Sequence, residues 1–227
     1  MEKLGTNYGG WKVPKNMNLN EHSIIYSAGV GEDISFDLLL QNKYNSKIYL
    51  IDPTQKAINH FNEAKQYYDK NIQFTGNIQN DYYSKIANLK PDFHKFNYMS
   101  IGLWDKKEQL KFYKQNNNNY VSQSLIENMF GSNYDIVEVN SIKNIMEENN
   151  HTHIDLLKLD IEGTEINVLN KMLDDKIYPT YVLCEFDLLL KNKDINQYTN
   201  KLINRMVNDK NYKILENDNL NITFEFV

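Results

Sequence analysis

A chain of 227 residues is long enough for one domain with a sizeable core, and 41% hydrophobic against 24% charged residues is a globular balance. A net charge of -5, with lysines scattered among acids, offers no basic stripe for phosphates, so no nucleic-acid partner is expected. No apolar stretch approaches the roughly 20 residues of a membrane span, and residues 1–8 lack the apolar run of a secretion signal, so no membrane partner and a cytoplasmic location are expected.

The first 20 residues carry Tyr8, Gly9, Gly10 and Trp11. We read them as a lid segment with the glycines as hinge; the plainer alternative is an aromatic pair anchoring the chain. Ser23–Ala28 is a strand that breaks into Gly29-Val-Gly-Glu-Asp33, and Ile34–Gln41 follows as a helix. Lys47–Ile51 is a second strand ending at Asp52 and Pro53, followed by a helix over Gln55–Tyr68. Asn71–Lys95 is expected to hold a short strand-like piece and a helix ending before Pro91. Phe96–Ser100 reads as a strand and Gln109–Tyr113 as an extra one. The polar loop Lys114–Tyr120 is biased in composition and carries no chemical fingerprint. Ser141 precedes Ile142, Ile145 and Met146 at helical spacing and is an N-cap.

Ile154–Leu159 is a strand that breaks into Asp160, Glu162 and Gly163 before a helix over Glu165–Leu173. A strand over Thr180–Phe186 and a helix over Asn196–Asn208 continue the alternation. Two final strands, Tyr212–Leu215 and Ile222–Val227, flank the turn-rich Glu216–Asn219 and form an antiparallel hairpin. Such alternation predicts one α/β domain over residues 1–227, a mostly parallel sheet with helices on both faces. The single cysteine, Cys184, lies in an apolar run and reads as a core thiol. His22, His60, His94, His151 and His153 assemble no zinc-ligand pattern and read as surface or loop residues.

Ligands of open α/β sheets bind at the carboxyl ends of strands. Gly29 and Gly31 end the first strand, where missing side chains admit a ligand to the backbone. Asp52 ends the second, where an acid accepts hydrogen bonds from ribose hydroxyls. A dinucleotide fingerprint would need a third small residue where Ile34 stands, and Glu32 and Asp33 would oppose a diphosphate. S-adenosylmethionine (SAM) carries a sulfonium and an ammonium and no phosphate, so the acids favour it over NAD.

Several stretches resemble the FkbM-type methyltransferases of the class I SAM-dependent group. They are Tyr8-Gly-Gly-Trp11, Tyr26–Asp37, Ile51-Asp-Pro-Thr54, Ile101–Asp105, Leu110–Tyr113, Val121–Leu125 and Asp155–Glu165. Leu-Lys-Leu-Asp-Ile-Glu-Gly within the last is the most specific. The resemblance implies a Rossmann-like, seven-stranded sheet with a reversed last strand. It places Gly29 and Gly31 against the cofactor beside Ala28, Glu32 and Asp33, with Asp52 and Pro53 at the ribose. Ser100 and Ile101 would flank the adenine, and Asp160 would border both cofactor and acceptor. Class I enzymes usually place an acid two residues before the first glycine, where this chain has Ser27. We expect Glu32 or Asp33 to take over part of its role around the methionine ammonium.

Methylating a hydroxyl requires an aligned acceptor and a base. Asp160, Glu162 and Glu185 are the candidate bases, with Asp187 and Lys158 behind them and Glu165 as a first-turn helix acid. Lys158 and Asp160 share a side of their strand, so Lys158 either reaches the site or only neutralises the acids. Asp160 with Glu185 or Asp187 could ligate Mg²⁺, but the spacing does not demand it and no metal is expected. The expected activity is O-methylation of a sugar, glycan or other small molecule. The alternatives are a non-catalytic SAM- or nucleotide-binding partner subunit and an NAD-dependent oxidoreductase. A tyrosine-rich surface could support a homodimer.

Overall fold

A computed structural model describes residues 1–115, 122–127, 131–187 and 193–227. The chain opens with a short antiparallel ribbon, β1 (Glu2–Leu4) and β2 (Trp11–Val13). Then β3 (Ile24–Ala28), α1 (Ser35–Tyr44), β4 (Lys47–Ile51) and α2 (Gln55–Lys70) alternate, followed by α3 (Tyr82–Ile86) and β5 (Phe96–Met99). An excursion of short strands comes next: β6 (Gly102–Leu103), β7 (Glu108–Lys114), β8 (Gln123–Ser124) and β9 (Tyr134–Asn140). The alternation resumes with α4 (Ile142–Glu148), β10 (Leu156–Leu159), α5 (Glu165–Asp174), β11 (Tyr181–Glu185) and α6 (Lys193–Asn204). A hairpin of β12 (Tyr212–Asp218) and β13 (Asn221–Phe226) ends the fold.

The main sheet has seven strands in the order β12-β13-β11-β10-β3-β4-β5. From β11 to β5 all neighbours are parallel, whereas β13 runs antiparallel to both β11 and β12, so the sheet is mixed. Strand order reverses between β3 and β10, and this is where a crevice opens above the strand ends. Alternation sorts each central strand between two cores. Ile25 of β3 and Leu156 of β10 join Phe36, Leu38, Ala57, Phe61 and Tyr82 from α1 to α3 on one face. Tyr26, Leu157 and Leu159 join Ile145, Leu169, Met172 and Leu202 from α4 to α6 on the other.

Local chemistry sets the helix ends. Thr54 caps α2 by accepting from the Ala57 N–H, and Ser141 caps α4 through the Asn144 N–H, the role its position predicted. Asn45 and Asn71 close α1 and α2 in the left-handed conformation that asparagine tolerates.

Three expectations change. Between Asn71 and Lys95 there is helix α3 and a 3-10 turn at Phe93–Lys95 but no strand; Phe74 packs its ring against His60, Tyr67, Tyr82 and Tyr83 instead of joining a ladder. The hairpin turn is tighter than Glu216–Asn219: β12 runs on to Asp218, and Asn219 turns the chain at φ 58°. His60 is buried, its Nε2 2.8 Å from the Tyr82 hydroxyl, because that bond satisfies the ring inside the core. Cys184 is buried as expected, and residues 116–120 of the polar loop lie outside the described residues. Among the described residues no helix is long and apolar enough to cross a membrane.

Candidate functional site

A cavity of about 310 Å³ opens at the switch point. One wall is the β3–α1 turn, with Gly29, Val30, Gly31, Glu32 and Asp33, beside Asp52, Pro53 and Thr54. Lys158, Asp160, Ile161, Glu162 and Thr164 form the floor where β10 ends. The four-stranded sheet supplies Gly102, Leu103, Phe112 and Gln123 opposite, and the N-terminal ribbon contributes Tyr8 and Gly9.

Asp52 is committed to the turn above it. Its Oδ2 accepts from the N–H groups of Val30 (2.9 Å) and Gly31 (3.0 Å), and its Oδ1 from the N–H (2.8 Å) and hydroxyl (2.6 Å) of Thr54. These four bonds fill a carboxylate's acceptor capacity. Asp33 is committed as well: Oδ1 accepts from the Ser35 N–H and Oδ2 from the Thr6 hydroxyl at 2.5 Å. Thr6 in turn accepts from the Gly9 N–H, so the acid pins the N-terminal ribbon to the start of α1. Of the pair expected around a ligand ammonium, Asp33 is therefore a structural clamp, and Glu32 holds the position on the cavity wall.

Gly29 lines the cavity and has a packing role as well. At φ 78°, its backbone lies against the end of β10, and a Cβ there would collide with the Asp160 carbonyl oxygen. Missing bulk at Gly29 brings two loops together at the cavity wall.

The β10 end is built around acids in different surroundings. Glu162 adopts φ 56°, an uncommon conformation for a side-chain-bearing residue, and its carbonyl accepts from the Ser124 hydroxyl at 2.6 Å. Glu165 is more than a first-turn acid. Its buried Oε1 accepts from the N–H groups of Ile161 and Gly163, fastening the Asp160–Gly163 loop, and burial pushes its carboxyl up to about 8. Glu185 sits one residue past the Leu159–Cys184 register pair, so it neighbours Asp160 on the same face of the next strand. Burial, and then the charges of Asp160 and Asp187, push Glu185 up to about 8. Tyr8 lines the cavity with Asp160 and Glu162, and its phenol is raised by burial and by the charges of Asp160, Glu162, Glu185 and Asp33.

Gly29, Gly31, Glu32, Asp33, Asp52, Pro53, Asp160 and Glu162 thus come together on the cavity wall. Ala28, Ser100, Ile101 and Glu185 do not line it. Ala28 is buried in the sheet, bonding through its carbonyl to the Asp160 N–H. β5 stops at Met99, which leaves Ser100 exposed, and Gly102 and Leu103 reach the cavity instead. Trp11 is buried, as an anchor would be, while Tyr8 lines the cleft. Asn77, Gln79, Phe112 and Gln123 were not anticipated as site residues, although Phe112 and Gln123 fall in the family-like stretches Leu110–Tyr113 and Val121–Leu125. Among the described residues no group of three or more His, Cys, Asp and Glu could hold a metal ion.

A sheet in this order, with a glycine turn and strand-end acids around a cleft at the reversal, defines an α/β domain with a ligand crevice at its switch point. The chain belongs to the FkbM methyltransferase family: the model of the methyltransferase FkbM domain matches residues 11–214. It is a methyltransferase by that membership. No curated protein matches the chain.

Proposed function

We propose that the chain transfers a methyl group from S-adenosylmethionine to a hydroxyl oxygen of a sugar, glycan or other small molecule. One observation carries the choice of cofactor. A phosphate cradle needs unspent backbone N–H groups in the turn after the first strand. Here Val30 and Gly31 give theirs to Asp52, and Ser35 gives its N–H to Asp33, while Glu32 adds negative charge to the same wall. That wall suits a cationic ligand and opposes a diphosphate, which counts against the NAD-dependent alternative.

Bound there, S-adenosylmethionine would supply an electrophilic methyl on a sulfonium. Glu32 is suited to its ammonium, and the turn braced by Asp52 to its ribose side. On the acceptor side, Asp160 and Glu185 stand at adjacent strand ends on one face. A carboxyl raised toward neutral pH is matched to taking a proton from a hydroxyl, and we assign that role to this pair. Glu162 orients the acceptor from the loop, with Tyr8 covering the cleft.

Isothermal calorimetry with S-adenosylhomocysteine, with NAD as control, tests the cofactor. Binding to the first alone, followed by methyl transfer onto a panel of hydroxylated acceptors, is expected. Binding to NAD alone would overturn the reading, and cofactor binding without transfer to any acceptor would favour a partner subunit.

A further inference from the structure

Lys158 and Ser27 are register partners on β10 and β3, so their side chains leave the same face of the sheet, the one covered by α1. Lys158 is only 6% exposed. A buried ammonium persists only where it is paired and hydrogen-bonded. Its Nζ donates to the Gly29 carbonyl at 2.5 Å and lies 3.4 Å from Asp160 Oδ2. The Trp11 ring centroid is 5.8 Å away, close enough for a cation–π contact.

On the same side of the sheet lies the acid that ends the family-like stretch Tyr26–Asp37. Asp37 of α1 is 3% exposed, and burial pushes its carboxyl up to about 6 against the opposing pull of Lys158 and Ser27. Asp37 Oδ1 and Ser27 Oγ, both buried, make no hydrogen bond of good geometry. A serine stands at position 27, where class I enzymes usually place an acid. The serine in its stead stands directly across from the lysine.

We propose that Lys158 is a positioning residue of the methyl-transfer site, its ammonium clamping the glycine turn to the strand-end acid Asp160 with Asp37 as buried counter-charge. The proposal rests on reading the cleft as the methyl-transfer site. Lysine suits the task because three donors on a compact head can serve a carbonyl and a carboxylate in different directions. The charged groups facing it are Asp160 on its own strand, Asp37 on α1 and Glu185 on β11, whose carboxyl it pulls down.

Lys158→Met removes the charge and keeps the shape. Carbon-detected NMR should show the Asp160 carboxyl carbon signal shifted in this variant, because the ammonium beside it is gone. The amide signals of Gly29, Val30 and Gly31 should move, and affinity for S-adenosylhomocysteine should fall tenfold or more. An Asp160 carboxyl signal and turn amides that both match the parent would overturn the proposal. Asp37→Asn should shift the same amides while leaving the Lys158–Asp160 contact in place. If the parent itself fails to bind S-adenosylhomocysteine, the cofactor reading falls, and the NMR readouts still decide the clamp. Should Lys158→Met not fold, Lys158→Arg carries the test: its larger planar head should displace the turn amides. Unmoved amides there would overturn the clamp.

Discussion

Asp52 is the residue on which a ribose contact and a structural role can be separated by measurement. Asp52→Ala strands two buried backbone donors, the N–H groups of Val30 and Thr54, and frees a third on Gly31. A buried donor without a partner costs about 1–3 kcal/mol, so the loss for the unliganded protein is about 4 kcal/mol. In a domain of this size that corresponds to a fall in Tm of about 8–16 °C. Asp52→Asn is milder. With its amide oxygen toward Val30 and Gly31, the Thr54 hydroxyl can rotate to accept from the new N–H₂, and only the Thr54 N–H is stranded, for about 2 kcal/mol. Urea and thermal melts of both variants without ligand, alongside calorimetry with S-adenosylhomocysteine, check this ordering. An alanine variant that melts within about 2 °C of the parent yet loses ligand binding would refute the reasoning, because the carboxylate would then serve the ligand alone.

Two further outcomes follow from buried titrating groups. His60 is held neutral, its pKa lowered by burial from 6.5 to about 4, so the folded state binds fewer protons than the unfolded chain. The stability it contributes is full above pH 6.5 and is lost as pH falls toward 4, a change of about 3 kcal/mol that His60→Gln should largely abolish in urea midpoints. Equal pH dependence in both proteins would place the effect elsewhere. Hydroxyl methylation should rise with pH and level off above about 8, as Glu185 ionises. Glu185→Gln should be slower by about 10²-fold and should lose the rise; a rise that survives would assign the base to another group.

The parts of the fold visible in the sequence are those where burial imposes a period. β4 falls where its apolar run predicts, and β10 and β11 differ from expectation only at their ends, because strands covered on both faces are continuous hydrophobic runs. α5 shows the same agreement through its apolar stripe. β1 and β2 have three residues each, and β6 and β8 two, too few for any period to register. β9 did carry a signal in Ile136, Val137 and Val139, but Tyr134 and Ile136 face solvent, so the pattern does not alternate as a half-buried strand should. Contacts such as Thr6 to Asp33 and Lys158 to Gly29 join residues far apart in the chain and leave no local trace.

The acids show most clearly why a site can be half legible. By position alone, Glu32, Asp33, Asp52, Asp160, Glu162 and Glu165 are equivalent: carboxylates at strand ends or helix starts. Hydrogen-bond accounting separates them, since a carboxylate has about four acceptor positions and each backbone N–H taken removes one from a ligand. Asp33, Asp52 and Glu165 give theirs to the turns, fixing the N-terminal ribbon, the glycine turn and the β10 loop respectively. Glu32, Asp160 and Glu162 line the cavity between those fixed loops. The first group thus preorganises the walls on which the second presents its charge, and Lys158 ties the two walls together through Gly29 and Asp160. A mutation in the first group should therefore appear in the stability of the unliganded protein, as should one at Asp160, which holds the buried Lys158, whereas one at Glu32 should appear once a cation is offered.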